Sequence, residues 1–144
     1  MSTFYDKAKY TPPCTLTEPS ENERVSVLIT EITAPGTPAT NVTVGLPVVI
    51  GDALAGIAGE TPAAATSNIT VFTGGKFCIY VTLASAGHFG DALYINPTTG
   101  IVSDSKVAGQ IPFARLLDGV STTATPTKAL VMLPGVHPVQ TDNT

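Results

Sequence analysis

Apolar and polar residues alternate with a period of two along much of the chain, and this pattern predicts strands. The clearest run follows Asn68 in the segment NITVFTGGKFCIYVTL, where apolar residues occupy every odd position from Phe77 to Leu83. A Gly-Gly pair, Gly74 and Gly75, separates this run from the preceding apolar positions. Because two glycines readily adopt the positive φ angles of a tight primed turn, the segment predicts a β-hairpin that turns at this pair.

A second hairpin is predicted in GDALYINPTTGIVSD, residues 90–104. Its first strand is followed by Pro97, which suits the first central position of a turn, and Gly100 suits the left-handed position where the chain enters the next strand. Asp91 stands just before the first strand. We expect its carboxylate to accept hydrogen bonds from the following amides and so to form an Asx-type corner.

The remaining apolar pattern predicts further short strands and no helix. These strands fall near residues 24–33, 42–50 with an interruption at residues 45–47, 54–57, 110–117 and 127–134. Pro112 confines its strand to a sheet edge, to the strand's first residues or to a bulge. About eight short strands separated by turn signals predict an all-β fold, a small barrel or sandwich. The pattern does not choose between these two closures.

The 144 residues suit one domain with segments on either side. Residues 1–24 lack strand or helix periodicity, residues 25–134 form the predicted β-domain, and residues 135–144 form a polar tail. The first segment nevertheless carries three aromatic residues, Phe4, Tyr5 and Tyr10, which disordered tails usually avoid. We therefore predict an extended N-terminal arm that lies on an apolar surface, and we expect the domain to fold after removal of residues 1–20.

Charged residues are sparse, at 12% of the chain, and the net charge is -4. Nucleic-acid binding depends on clustered basic residues, but the seven Lys and Arg residues are scattered, so we expect no nucleic-acid partner. No apolar run approaches the roughly 20 residues of a membrane span, and no secretory signal is recognisable, so we expect a soluble protein made in a cytosol. A surface poor in charge suggests association with other protein surfaces.

Candidate catalytic chemistry is weak. The sequence contains none of the common hydrolase, metalloprotease, dinucleotide or P-loop motifs. His88 and Asp91 are three positions apart, but we expect them to be loop residues and not a catalytic pair. Cys14 and Cys78 lack metal-site spacing and are expected to be free thiols. We predict that the protein is not an enzyme and binds neither a metal nor a cofactor.

The order of the apolar segments resembles the small capsid decoration, or cement, proteins of tailed bacteriophages. The segments that carry the resemblance are PVVIGDALAGIAGE, ITVFTGGKFCIYVT, FGDALYINPTTGIVS, AGQIPFARLLDGV and ALVML, over about residues 45–133. Within the second predicted hairpin, the positions that match the family pattern are Gly90, Asp91, Tyr94, Gly100 and Val102. Two positions depart from it: Ala114 stands where the family usually has Gly, and Arg115 is unusual there.

The resemblance implies a structural protein on the outer surface of an icosahedral capsid in the virion. Its implied partners are the major capsid protein and further copies of itself, as a homotrimer. We expect Phe4, Tyr5 and Tyr10 to contact either the capsid or a neighbouring subunit, because aromatic side chains anchor interfaces. An alternative is a carbohydrate- or receptor-binding module on a virion or fibre, which would use exposed aromatics such as Tyr80, Phe89 and Tyr94.

Overall fold

The structure, a computed structural model, describes residues 11–17, 23–35, 42–51, 54–64, 67–120 and 126–134. The predicted contact residues Phe4, Tyr5 and Tyr10 and the tail from residue 135 lie outside these ranges. Within them the chain forms eleven strands in two antiparallel sheets, together with one 3-10 helix, Ile29–Glu31. The all-β prediction is therefore confirmed. No helix in these ranges is long and apolar enough to cross a membrane.

The strands are numbered in chain order. Their bounds are β1 Cys14–Thr17, β2 Arg24–Leu28, β3 Ile32–Ala34, β4 Pro47–Ile50, β5 Leu54–Ala58, β6 Asn68–Phe72, β7 Gly74–Val81, β8 Ala92–Ile95, β9 Val102–Ser103, β10 Ile111–Leu116 and β11 Thr127–Pro134. One sheet has the strand order β1-β7-β11-β10-β8-β9, and the other has the order β2-β6-β5-β4-β3.

The five-stranded sheet must curl strongly. Its two edge strands, β2 and β3, are joined directly by the 3-10 helix. In a flat sheet these edges would be about 19 Å apart, whereas the chain from Leu28 to Ile32 reaches at most about 14 Å. The curled sheet encloses its own apolar cluster, formed by Val27, Ile29, Ile32, Val42, Val48, Ala58, Ile69 and Val71.

The six-stranded sheet curls as well. Thr82, just after β7, bridges to Ser103 in β9, and its amide N–H donates to the Val102 carbonyl oxygen at 2.8 Å. Strands β7 and β9 stand four places apart in the sheet order, so this contact requires curvature. Inward-facing residues of this sheet pack against Val49 and Ile57 from the five-stranded sheet in one shared core. The molecule is thus a sandwich of two curled sheets.

The predicted hairpin at Gly74 and Gly75 is wrong. Strand β6 pairs with β2 and β5, whereas β7 pairs with β1 and β11, so the chain passes from one sheet to the other at Thr73. Both glycines lie inside β7, and a Cβ on Gly74 would approach a Glu23 side-chain oxygen to 2.7 Å. A glycine pair marks a place where the backbone needs unusual freedom or space. Here the need is for space, because the chain packs closely where it passes from one sheet to the other.

Two other local predictions change. Residues 42–46 form a loop and not a strand, with a positive φ of 87° at Gly45. Strand β10 lies inside its sheet, and its register shifts between Pro112 and Ala114, which is the bulge alternative for a proline in a strand. Beyond this shift Leu116 lies in the core, whereas Leu117 is half-buried.

Part of the segment predicted as an arm belongs to the sheet. Residues Cys14–Thr17 form β1, which pairs antiparallel with β7 at the edge of the six-stranded sheet. The backbone is extended there, but it is hydrogen-bonded to the domain. Removing residues 1–20 would therefore delete a strand.

Candidate interaction surface

The point where the predicted arm meets the domain is the first described part of the chain. Pro12 is buried, and Pro13 lies against Gly45, where an added Cβ would approach the Pro13 Cβ to 2.5 Å. Only glycine leaves room for the proline ring at this position, and its positive φ also favours glycine. The loop before β4 is therefore shaped to hold the chain just after residues 1–10.

An apolar cleft of about 310 Å³ opens beside this contact, between the two sheets. Its described lining is uncharged and comprises Pro13, Gly45, Leu46, Pro47, Ile79, Tyr80, Val81, Thr82, Thr99, Gly100, Ile101, Val102 and Pro126. Tyr80 and Ile101 are each 52% exposed although both are large and largely apolar. Val44, also exposed, adjoins Gly45 in the cleft wall. Contiguous exposed apolar surface of this kind is characteristic of protein contact sites.

His88 and Asp91 come together, but in a loop-closing arrangement. Asp91 Oδ2 accepts a hydrogen bond from the His88 amide N–H at 2.8 Å, and the Asp91 amide donates to the His88 carbonyl oxygen at 3.0 Å. The His88 Nδ1 atom is 3.6 Å from Asp91 Oδ2, too far for a hydrogen bond, and the imidazole is 82% exposed. The carboxylate therefore accepts its hydrogen bond from the backbone of His88 and not from the imidazole.

The Asx-type corner predicted at Asp91 occurs instead at Asn96. Asn96 Oδ1 accepts hydrogen bonds from the following amides of Thr98 and Thr99, at 2.8 and 3.0 Å. Pro97 lies in the same turn, and Gly100 follows with a φ of 76°. Asp91 bonds the amide three residues before it, so its role is to close the loop that precedes β8.

Arg115 carries a contact that sequence reasoning missed. Its Nη1 atom donates a hydrogen bond to the Gly90 carbonyl oxygen at 3.0 Å, and the neighbouring Leu116 amide donates to the Asp91 carbonyl oxygen at 2.9 Å. The residue that departs from the family pattern thus ties the His88–Asp91 loop to β10. In the sequence, the only signal was a charged residue within an apolar strand.

The aromatic residues considered for a carbohydrate-binding face lie on different elements. Tyr80 is on β7 and 52% exposed, whereas Tyr94 is on β8. Phe89 is 69% exposed in the loop before β8, and Tyr94 is half-buried. The three side chains thus differ in exposure and come from two strands and a loop. Within the described ranges, no cluster of three or more His, Cys, Asp or Glu side chains is placed to hold a metal ion.

Comparison with known proteins identifies a family for this chain. No curated protein matches the chain. The family model described as phage cement protein matches residues 29–133, well over half of the chain, and this range contains every strand from β3 to β10 and nearly all of β11. A cement protein has a structural, non-enzymatic role on a phage capsid. The chain therefore belongs to the phage cement protein family.

Proposed function

We propose that this protein binds the outer surface of an icosahedral phage capsid as a homotrimer and stabilises the shell against internal pressure. The match of residues 29–133 to the cement protein family carries this proposal. The exposed apolar side chains around the cleft support it, because a surface that lacks charge and exposes large apolar residues is suited to protein contacts.

An outer position fits the charge of the chain. The net charge is -4, and the few basic residues are scattered. A protein that lined the inside of a filled shell would face densely packed, negatively charged DNA, which repels an acidic surface. On the outer face this repulsion is absent.

We assign the principal contact to the N-terminal arm, through Phe4, Tyr5 and Tyr10. Aromatic side chains bury a large area at low entropic cost, and such residues dominate the binding energy of interfaces. The arm meets the domain beside the apolar cleft, through Pro13, so arm and cleft together form one contact region. In this proposal the arm binds the capsid lattice. The test must distinguish this contact from one with a neighbouring subunit.

The test compares full-length protein with a variant lacking residues 1–10. This truncation spares the buried Pro12 and strand β1. Co-sedimentation with undecorated capsids measures binding, and native mass spectrometry measures the oligomer. We expect full-length trimers that bind capsids, and truncated trimers with binding at least about tenfold weaker, the effect of losing one anchoring aromatic.

Two results would overturn parts of the proposal. A full-length protein that is monomeric and does not sediment with capsids rejects the function. A truncated protein that falls apart into monomers assigns the arm to the subunit interface. The triple substitution Phe4→Ala, Tyr5→Ala and Tyr10→Ala is the matched control, since it removes the aromatic side chains and keeps the length of the arm.

A further inference from the structure

The only two cysteines of the chain face each other across a strand pair. Cys14 in β1 and Cys78 in β7 are direct partners in the antiparallel register, and neither is in a disulfide. Direct partners project to the same side of a sheet, with Cα atoms about 4.5 to 5.5 Å apart. This separation lies within the roughly 4.4 to 6.8 Å range of disulfides. We propose that Cys14 and Cys78 form a reversible disulfide that fastens β1, and with it the N-terminal arm, to the domain.

The position of β1 gives this bond a structural purpose. The strand has four residues and lies at the edge of its sheet, so backbone pairing holds it on one side only. Its partner β7 is eight residues long and is paired along its whole length with β11. A covalent link between the two would anchor this short edge strand to a longer strand that is paired on both sides.

The different exposure of the two thiols sets the order of reaction. Cys14 is half-buried, whereas Cys78 is 0% exposed. A low-molecular-weight disulfide such as oxidised glutathione is therefore attacked first by the Cys14 thiolate, which forms a mixed disulfide and releases one glutathione thiolate. The Cys78 thiolate then attacks the Cys14 sulfur, displaces the second glutathione thiolate and completes the protein disulfide. The two protein thiols lose two electrons and two protons, and one glutathione disulfide is reduced to two thiols.

The life of a phage particle supplies the change in redox conditions. Thiols stay reduced in a bacterial cytosol, whereas disulfides persist on virion surfaces outside the cell. The bond would thus be absent during synthesis and assembly and present after release. The bond forms within one chain, so its chemistry does not depend on capsid binding.

The test uses the full chain in buffers of oxidised or reduced glutathione, without denaturant. We expect the oxidised protein to lose the mass of two hydrogen atoms and to yield one cross-linked peptide pair containing Cys14 and Cys78. Closing so long a loop should raise the melting temperature by about 5 to 10 °C, and dithiothreitol should reverse the rise. The variant Cys14→Ser keeps Cys78 and should show neither the mass loss nor the rise.

Three results would overturn the proposal. These are two thiols that remain free, a mixed glutathione disulfide that persists on Cys14, or a disulfide found only between chains. The second single variant, Cys78→Ala, should also show neither the mass loss nor the rise. If this variant fails to fold, Cys14→Ser still tests the pairing, because the replaced residue, Cys14, is half-buried at a sheet edge. Capsid binding is not part of the readout, so failure of the disulfide leaves the proposed function standing, and the reverse also holds.

Discussion

At the scale of single residues, Gly45 makes room for Pro13 at the start of the described chain. Replacing it with Ala adds a Cβ that would approach Pro13 to 2.5 Å, at a φ of 87° that alanine disfavours. We expect Gly45→Ala to reduce the free energy of unfolding by about 2 to 4 kcal/mol, the sum of a left-handed penalty and a steric clash. Thermal or urea unfolding measures this change.

Gly109 provides the matched control for this substitution. Its φ of 90° is nearly the same, but an added Cβ would meet no heavy atom within 4 Å. Gly109→Ala should therefore cost only the backbone term, about 1 to 2 kcal/mol. Equal losses in the two variants would mean that the contact between Gly45 and Pro13 contributes nothing.

Substitutions at Asp91 and His88 distinguish a structural role in the loop from a catalytic pair. Asp91→Ala removes the acceptor of the His88 amide and should lower the free energy of unfolding by about 1 kcal/mol. His88→Ala removes an imidazole that is 82% exposed and should change stability by less than about 0.5 kcal/mol. Chemical denaturation of both variants measures this difference. A larger loss from His88→Ala than from Asp91→Ala would contradict the backbone role of the carboxylate.

At the scale of elements, the sequence predicts strands well and their partners poorly. Strict alternation identified the strand from Phe77 onward, because side-chain direction in a strand has a period of two. Pairing is a long-range property, and the glycines that suggested a local turn instead mark the passage between sheets. The contact of Arg115 with Gly90 was unpredictable for the same reason, since it joins positions far apart in the chain.

Deleting strand β1 should destabilise the domain and expose Cys78. A truncation that removes residues 1–17 takes away β1 and uncovers the β7 edge at Cys78, whereas removal of residues 1–10 spares both. Under reducing conditions, the longer truncation should lose about 2 to 4 kcal/mol of unfolding free energy, from several ladder hydrogen bonds and the buried Pro12. Its Cys78 should also react with a thiol-specific alkylating reagent. An equally stable protein with an unreactive Cys78 would show that β1 is dispensable.

At the scale of the whole molecule, the family identifies a structural component of a capsid, and the physical character of the surface predicts how it binds. Charged residues make up 12% of the chain, and several large apolar side chains are exposed, among them Tyr80 and Ile101 at the cleft. The sequence indicated this scarcity of charge, but the cleft appears only once the two sheets pack together.

Binding through apolar contacts should depend weakly on ionic strength, because salt screens charge pairs and slightly strengthens apolar burial. Between about 50 and 500 mM sodium chloride, we expect the affinity for undecorated capsids to change by less than about threefold. Co-sedimentation across a salt series measures it, with melting curves at each concentration as the control for folding. A loss above about tenfold would show that complementary charges, and not the apolar surface, hold the protein on the shell.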